Sequence, residues 1–130
     1  MRLTIVTAAI LGMIYMVLTA RVAAARIKGK VMLGDDGASG EQPSALLKAI
    51  RAHGNFAEYV PLALILLAAV EALRAPHLLC LALAAMLVLG RVLHPIGIAL
   101  PAPNFPRAAG AMLTWTMMAV ASLTALALVL

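Results

Sequence analysis

Apolar residues come in four long runs along the chain, at residues 3–20, 56–73, 77–94 and 108–130. A helix crossing a bilayer needs about 20 mostly apolar residues. The first run is interrupted only by three threonines, a glycine and a tyrosine, and the last carries no charge. The second holds Glu58 and Glu71, and the third reaches spanning length only by continuing through Gly90 to Arg91 and His94. The pattern predicts four transmembrane helices in an all-α bundle, as a single domain over residues 1–130. Treating the third run as a buried segment would leave three spans. Four is preferred because it keeps both basic loops on one side.

Turn and cap signals place the ends. Arg21 to Lys28 is rich in alanine and arginine, so helix 1 is expected to continue past the lipid. Glycine and aspartate mark a turn over Leu33 to Gly40, and Pro43 suits the first turn of helix 2. That helix is expected from about Ser44 to Leu73, with a kink at Pro61. Pro76 suits the first turn of helix 3, while His94 would cap its end before Pro95. Pro95, Pro101, Pro103 and Pro106 predict an irregular connection to helix 4.

Composition agrees with a membrane chain. Hydrophobic residues make up 65%, charged residues 12%, and the mean hydropathy is +1.06. A small soluble domain averages about 45–50% apolar and about 25% charged, so this chain needs lipid around it. The net charge of +5 would ordinarily raise nucleic acid as a partner. Here the cations flank apolar runs and read as topology, so no nucleic acid is expected. Arg21, Arg26, Lys28, Lys30, Lys48, Arg51, Arg91 and Arg107 fall on one side, and Arg2 and Arg74 on the other. The positive-inside rule then puts the basic loops in the cytoplasm and both termini outside. Asp35, Asp36 and Glu41 weigh little in that rule. A cleaved signal peptide competes for the first run, with Arg2 before it and Ala20 and Ala25 near its end. That run is longer than the usual signal core and cations follow at once, which favours a retained span.

Ionisable groups inside a span are costly and mark candidate function. Arg51, Asn55, Glu58 and Leu62 recur at i, i+4, i+7 and i+11, with Tyr59 beside them and His53 opposite. Such a stripe suits a zwitterionic ligand. Arg51 would grip a carboxylate, Glu58 would accept from an ammonium, and Asn55 both donates and accepts. The competing reading is a structural polar knot, with Glu58 neutralising Arg51 or Arg91 and Asn55 bonding a neighbouring helix. Arg91 and His94 lie one turn apart and either complete the pocket or serve as a snorkelling anchor and a cap. Arg107 is either a topological anchor or a catalytic cation. Glu71 and Arg74 read as a local ion pair, and His77 as an exposed interfacial residue. The methionines read as packing, and Trp115 as a residue near an interface. Cys80 stands alone. The histidines have no metal-ligand spacing, so no metal is expected, and no phosphate loop, dinucleotide fingerprint or nucleophile elbow occurs.

Ala-Ile-Arg-Ala-His-Gly-Asn-Phe-Ala-Glu-Tyr-Val-Pro at Ala49 to Pro61 resembles the MAPEG superfamily, membrane-associated proteins of eicosanoid and glutathione metabolism. The bacterial inner-membrane branch is the nearer match. Lys30 to Gly37, Gly90-Arg91-Val92-Leu93-His94-Pro95-Ile96-Gly97 and Arg107-x-x-Gly110 with Leu113-Thr114-Trp115 extend the resemblance over roughly residues 21–116. It implies a homotrimer of four-helix subunits, with glutathione held between subunits at the cytoplasmic side. By the same resemblance, Arg51, Asn55, Glu58 and Tyr59 would hold glutathione, Arg91 and His94 would lie near it, and Arg107 or Arg91 would activate the thiol. The family's transferases carry tyrosines where this chain has His94 and Ile98. The activity implied is transfer of glutathione to a lipophilic electrophile, or reduction of a hydroperoxide. The alternative is a non-catalytic membrane assembly or binding protein that uses the polar face of helix 2 for trimer packing. A transporter has little support in a chain without an inverted repeat.

Overall fold

The computed structural model describes residues 1–35 and 43–130. Asp36, Glu41 and most of the turn segment ending at Gly40 lie outside the described residues. Four helices follow in order: α1 (Arg2–Gly29), α2 (Ala45–Ala72), α3 (His77–Ala99) and α4 (Phe105–Val129). All four are long and apolar enough to cross a membrane. At 1.5 Å per residue the 28-residue α1 is about 42 Å long, more than a lipid core of about 30 Å, so it overhangs.

Local chemistry sets the helix ends. Ser44 caps α2, its hydroxyl accepting from the Leu47 N–H at 3.0 Å. Lys30 ends α1 in the left-handed conformation, at φ 55°. The Arg26 guanidinium folds the next residues back, donating to the Gly34 carbonyl at 2.9 Å. Asn104 caps α4, its side-chain oxygen accepting from the Arg107 N–H at 3.0 Å, with a proline in the first turn.

Helix 3 departs from expectation. It does not stop at His94 but passes through buried Pro95 to Ala99. Proline fits helical φ and costs one hydrogen bond. The turn beyond it is held by close packing on α4. A β-carbon on Gly97 would overlap the backbone of Arg107, and one on Gly110 would meet the backbone of His94. Gly90 likewise has no room for a side chain, lying against Thr114 and the Gly110 carbonyl. Small residues of this kind let membrane helices approach closely. Pro61 also sits within continuous helix. The apolar core below this seam joins Leu11, Phe56, Leu67, Leu83, Leu87 and Met117, and Cys80 is buried within it.

The expected Glu71–Arg74 pair is a second correction. Glu71 turns to the start of α1, where it accepts from the backbone N–H groups of Leu3 at 3.1 Å and Thr4 at 2.9 Å. It also accepts from the Thr4 hydroxyl at 2.6 Å and lies 3.1 Å from the Met1 amine. Arg74, at φ 60°, is outside α2 and exposed. The free N–H groups of a helix start offer a carboxylate several charge-assisted bonds, whereas an exposed i, i+3 cation offers one weak pair.

Candidate functional site

The basic ends of α2, α3 and α4 enclose a cleft of about 220 Å³. Lys48, Arg51 and Asn55 come from α2, His94 and Ile98 from α3, and Arg107 from the first turn of α4. Pro43, Leu47, Leu100 and Ala102 complete the wall. Among the described residues, three cations therefore line one cleft and no carboxylate does. Arg51 and Arg107 are exposed, and neither has an anionic partner among the described residues. Clefts lined by one sign of charge concentrate field and attract the opposite sign.

Arg107 is held in place from its backbone. The Asn104 amide caps its N–H and also donates to the Gly97 carbonyl at 2.9 Å and to the Pro101 carbonyl at 2.9 Å. One side chain thus ties the end of α3 to the start of α4. Gly97 leaves the space in which the Arg107 backbone rests.

Arg91 stands behind the cleft and does not line it. It is 2% exposed, so it neither snorkels nor reaches solvent. Its guanidinium donates to the Asn55 side-chain oxygen at 3.0 Å and to the Thr114 hydroxyl at 2.9 Å. It lies 5.7 Å from the centre of the Tyr59 ring, within range of a cation–π contact. Thr114 passes its own proton to the Gly110 carbonyl at 2.9 Å. The Arg91 Nε has no hydrogen-bond partner among the described residues. This network crosses from α2 through α3 to α4 and fixes the Asn55 amide on the cleft wall.

The stripe read along α2 therefore divides. Arg51 and Asn55 reach the cleft together with His94 and Arg107. Tyr59 lies beneath Arg91. Glu58 is exposed on the outer face of α2, outside the cleft lining. Among the described residues it pairs with neither Arg51 nor Arg91, so the knot in that form does not exist within one chain. The knot's other element, Asn55 bonded to a neighbouring helix, is present. His53, on the opposite side, stacks on Tyr15 with ring centres 4.7 Å apart.

Lys48, Thr114, Asn104 and Gly97 were not singled out from the sequence as site residues. Lys48 was legible at i, i+3, i+7 with Arg51 and Asn55. Asn104 stood before Phe105-Pro106 as a helix-start signal. Thr114 and Gly97 stood within the motifs that carry the family resemblance, but no spacing pointed to their contacts with Arg91 and Arg107. A second, more open cleft of about 440 Å³ shares His94, Ala102 and Arg107 with the first and runs along α4 to Trp115, which is 53% exposed. Among the described residues, no group of three His, Cys, Asp or Glu side chains has the arrangement to hold a metal.

Four membrane-length helices with polar clefts gathered at one end define a small integral membrane protein of the all-α bundle class. The sequence model of the MAPEG family matches residues 4–127, and the chain belongs to that family. No curated protein and no solved structure matches it.

Proposed function

We propose that the cleft binds glutathione and that the protein transfers it to a lipophilic electrophile, or uses it to reduce a hydroperoxide. The observation that carries this reading is the convergence of Lys48, Arg51, Asn55, His94 and Arg107 on one cleft, with no carboxylate among the described residues of its lining. Glutathione has two carboxylates and one ammonium, so cations suit its ends and an amide suits its peptide groups. Arg107 is the proposed catalytic group. A fixed cation favours a thiolate over a thiol, and the thiolate is the nucleophile. Arg91 is a positioning residue, since it touches Asn55 and not the cleft. His94, at the wall shared by both clefts, lies between the polar cavity and the one running to Trp115. A lipophilic partner reaches such a site from the bilayer.

The proposal includes a homotrimer in which a neighbouring subunit completes the site. Arg51, Glu58, Leu62 and Ile65 are all exposed and recur along one face of α2. A carboxylate on a membrane-spanning face calls for cover, because ionisable side chains in spans face protein or water. Glu58 then meets the ligand's ammonium, or a partner's cation, across that contact. We place the basic ends in the cytoplasm by the charge asymmetry of the loops, and the membrane as a bacterial inner membrane by the resemblance to that branch of the family.

Titration of the purified protein with glutathione, read by thiolate absorbance and by calorimetry, tests binding. Conjugation to a reactive aryl halide tests turnover. Saturable binding with a thiolate signal is expected. No binding and no turnover would overturn the reading. The same exposed α2 stripe favours a second reading, a non-catalytic assembly protein. On that reading Glu58→Ala dissociates the oligomer in mild detergent. On the first reading the oligomer persists and glutathione affinity falls.

A further inference from the structure

A third cleft, of about 260 Å³, opens on the other side of α2, between α1, α2 and α3. Its lining is graded along the bundle axis. On α1, which runs towards the basic end, Leu18 lies one turn deeper than Arg21. On α2, which runs away from that end, Ala52 lies one turn deeper than Lys48. On α3, which runs towards it, Pro95 lies one turn deeper than Ala99. Three helices of alternating direction thus place apolar groups on the floor, and two of them place a cation, Arg21 or Lys48, nearer the rim.

The depth of that rim is set by the sequence. Arg21 is the first charge after the apolar run of α1, so it marks where lipid tails give way to head groups. Arg21 is exposed and Lys48 half-buried. Neither side chain has a hydrogen bond or ion pair with another described residue. The floor is open because α2 presents alanines there, Ala49 among them, where larger side chains would fill it.

We infer that this cleft is a binding site for an anionic phospholipid of the surrounding bilayer. Its phosphate sits between Arg21 and Lys48, and one acyl chain enters over Ala49, Ala52 and Leu18. A guanidinium and an ammonium together match a phosphate by charge and by hydrogen bonding. An acyl chain supplies the apolar surface that the floor needs, and a free phosphate supplies none. The two clefts share Lys48, but the residues that test this inference, Arg21 and Ala49, lie outside the first cleft, so it can fail or hold separately from the glutathione reading.

The test is native mass spectrometry of the purified full chain in a neutral detergent. The probe is an equal mixture of phosphatidylglycerol and phosphatidylcholine with matched acyl chains. Wild type is expected to retain phosphatidylglycerol at least tenfold over phosphatidylcholine. Arg21→Gln should bring that ratio near one. Ala49→Leu, which fills the floor and keeps every charge, should abolish retention. Lys28→Gln removes a cation of α1 outside the cleft and should leave the ratio unchanged. Inorganic phosphate at the lipid's concentration should not displace the lipid. Equal retention of the two lipids by wild type would overturn the inference. So would Lys28→Gln matching Arg21→Gln, undiminished retention by Ala49→Leu, or displacement by inorganic phosphate. Should Ala49→Leu fail to fold, the exposed Arg21→Gln and Lys28→Gln pair still decides the outcome.

Discussion

The two ends of the bundle handle charge in opposite ways. At one end, Glu71 is surrounded by donors: two backbone N–H groups at the start of α1, the Thr4 hydroxyl and the Met1 amine. Its bonding is satisfied within the chain, and its work is to hold α1 against α2. At the other end, Lys48, Arg51 and Arg107 converge on a cleft with no carboxylate among the described residues of its lining. Interior polar groups support that cleft but leave its cations open. A charged group whose partners are all internal specifies structure, whereas a set of like charges facing one cavity specifies something outside the chain.

The sharpest way to break this contrast is to remove a cation at the open end. Arg51→Ala or Arg107→Ala is expected to weaken glutathione binding by about 2–5 kcal/mol in calorimetry. Stability against SDS unfolding should stay within about 0.5 kcal/mol of wild type, as for exposed positions. A large loss of stability with unchanged binding would show that these cations are structural after all.

Glu71→Ala should do the reverse. It leaves the first N–H groups of α1 and the Thr4 hydroxyl without their acceptor, at a cost of about 3 kcal/mol in SDS unfolding. Glutathione affinity should not change, since Glu71 lies at the far end of α2. A fall in affinity would mean that the two ends are coupled through α2.

Smaller effects come from the seam that joins the two behaviours. Gly97→Val places a side chain against the Arg107 backbone and should cost about 2 kcal/mol of stability, through overpacking. Because the start of α4 must move, glutathione affinity should fall as well. Asn104→Ala should cost about 1 kcal/mol as a lost helix cap. It should also blunt the thiolate absorbance more than it weakens binding, because Arg107 loses its fixed position. Equal effects on both readouts would reduce Asn104 to a simple cap.

Much of the fold was legible because lipid imposes strict rules. The apolar runs placed four spans, Ser44 and Pro43 announced the start of α2, and Arg21 to Lys28 announced the overhang of α1. Two errors came from applying local rules where packing prevails. Pro95 suggested a helix end, yet the glycine seam with α4 sustains the helix to Ala99. Arg74 suggested a partner for Glu71 by spacing, yet the start of α1, distant in sequence, offers better donors.

Helical spacing put Arg51, Asn55, Glu58 and Tyr59 on one stripe and marked Arg91, His94 and Arg107 as further polar exceptions. Spacing on one helix cannot say which members of a stripe face a neighbour. The sequence by itself determined the solvent this protein needs, the number of its spans and the helix faces that carry polar groups. Those follow from transfer free energies and from the 3.6-residue repeat, both properties of single segments. Only the tertiary structure decided that Arg91 is buried behind Asn55 while Arg107 is open, that Glu58 stands outside the cleft, and that Glu71 caps α1. These depend on which helices approach closely; between α3 and α4 that was settled by three glycines whose missing side chains let the two touch.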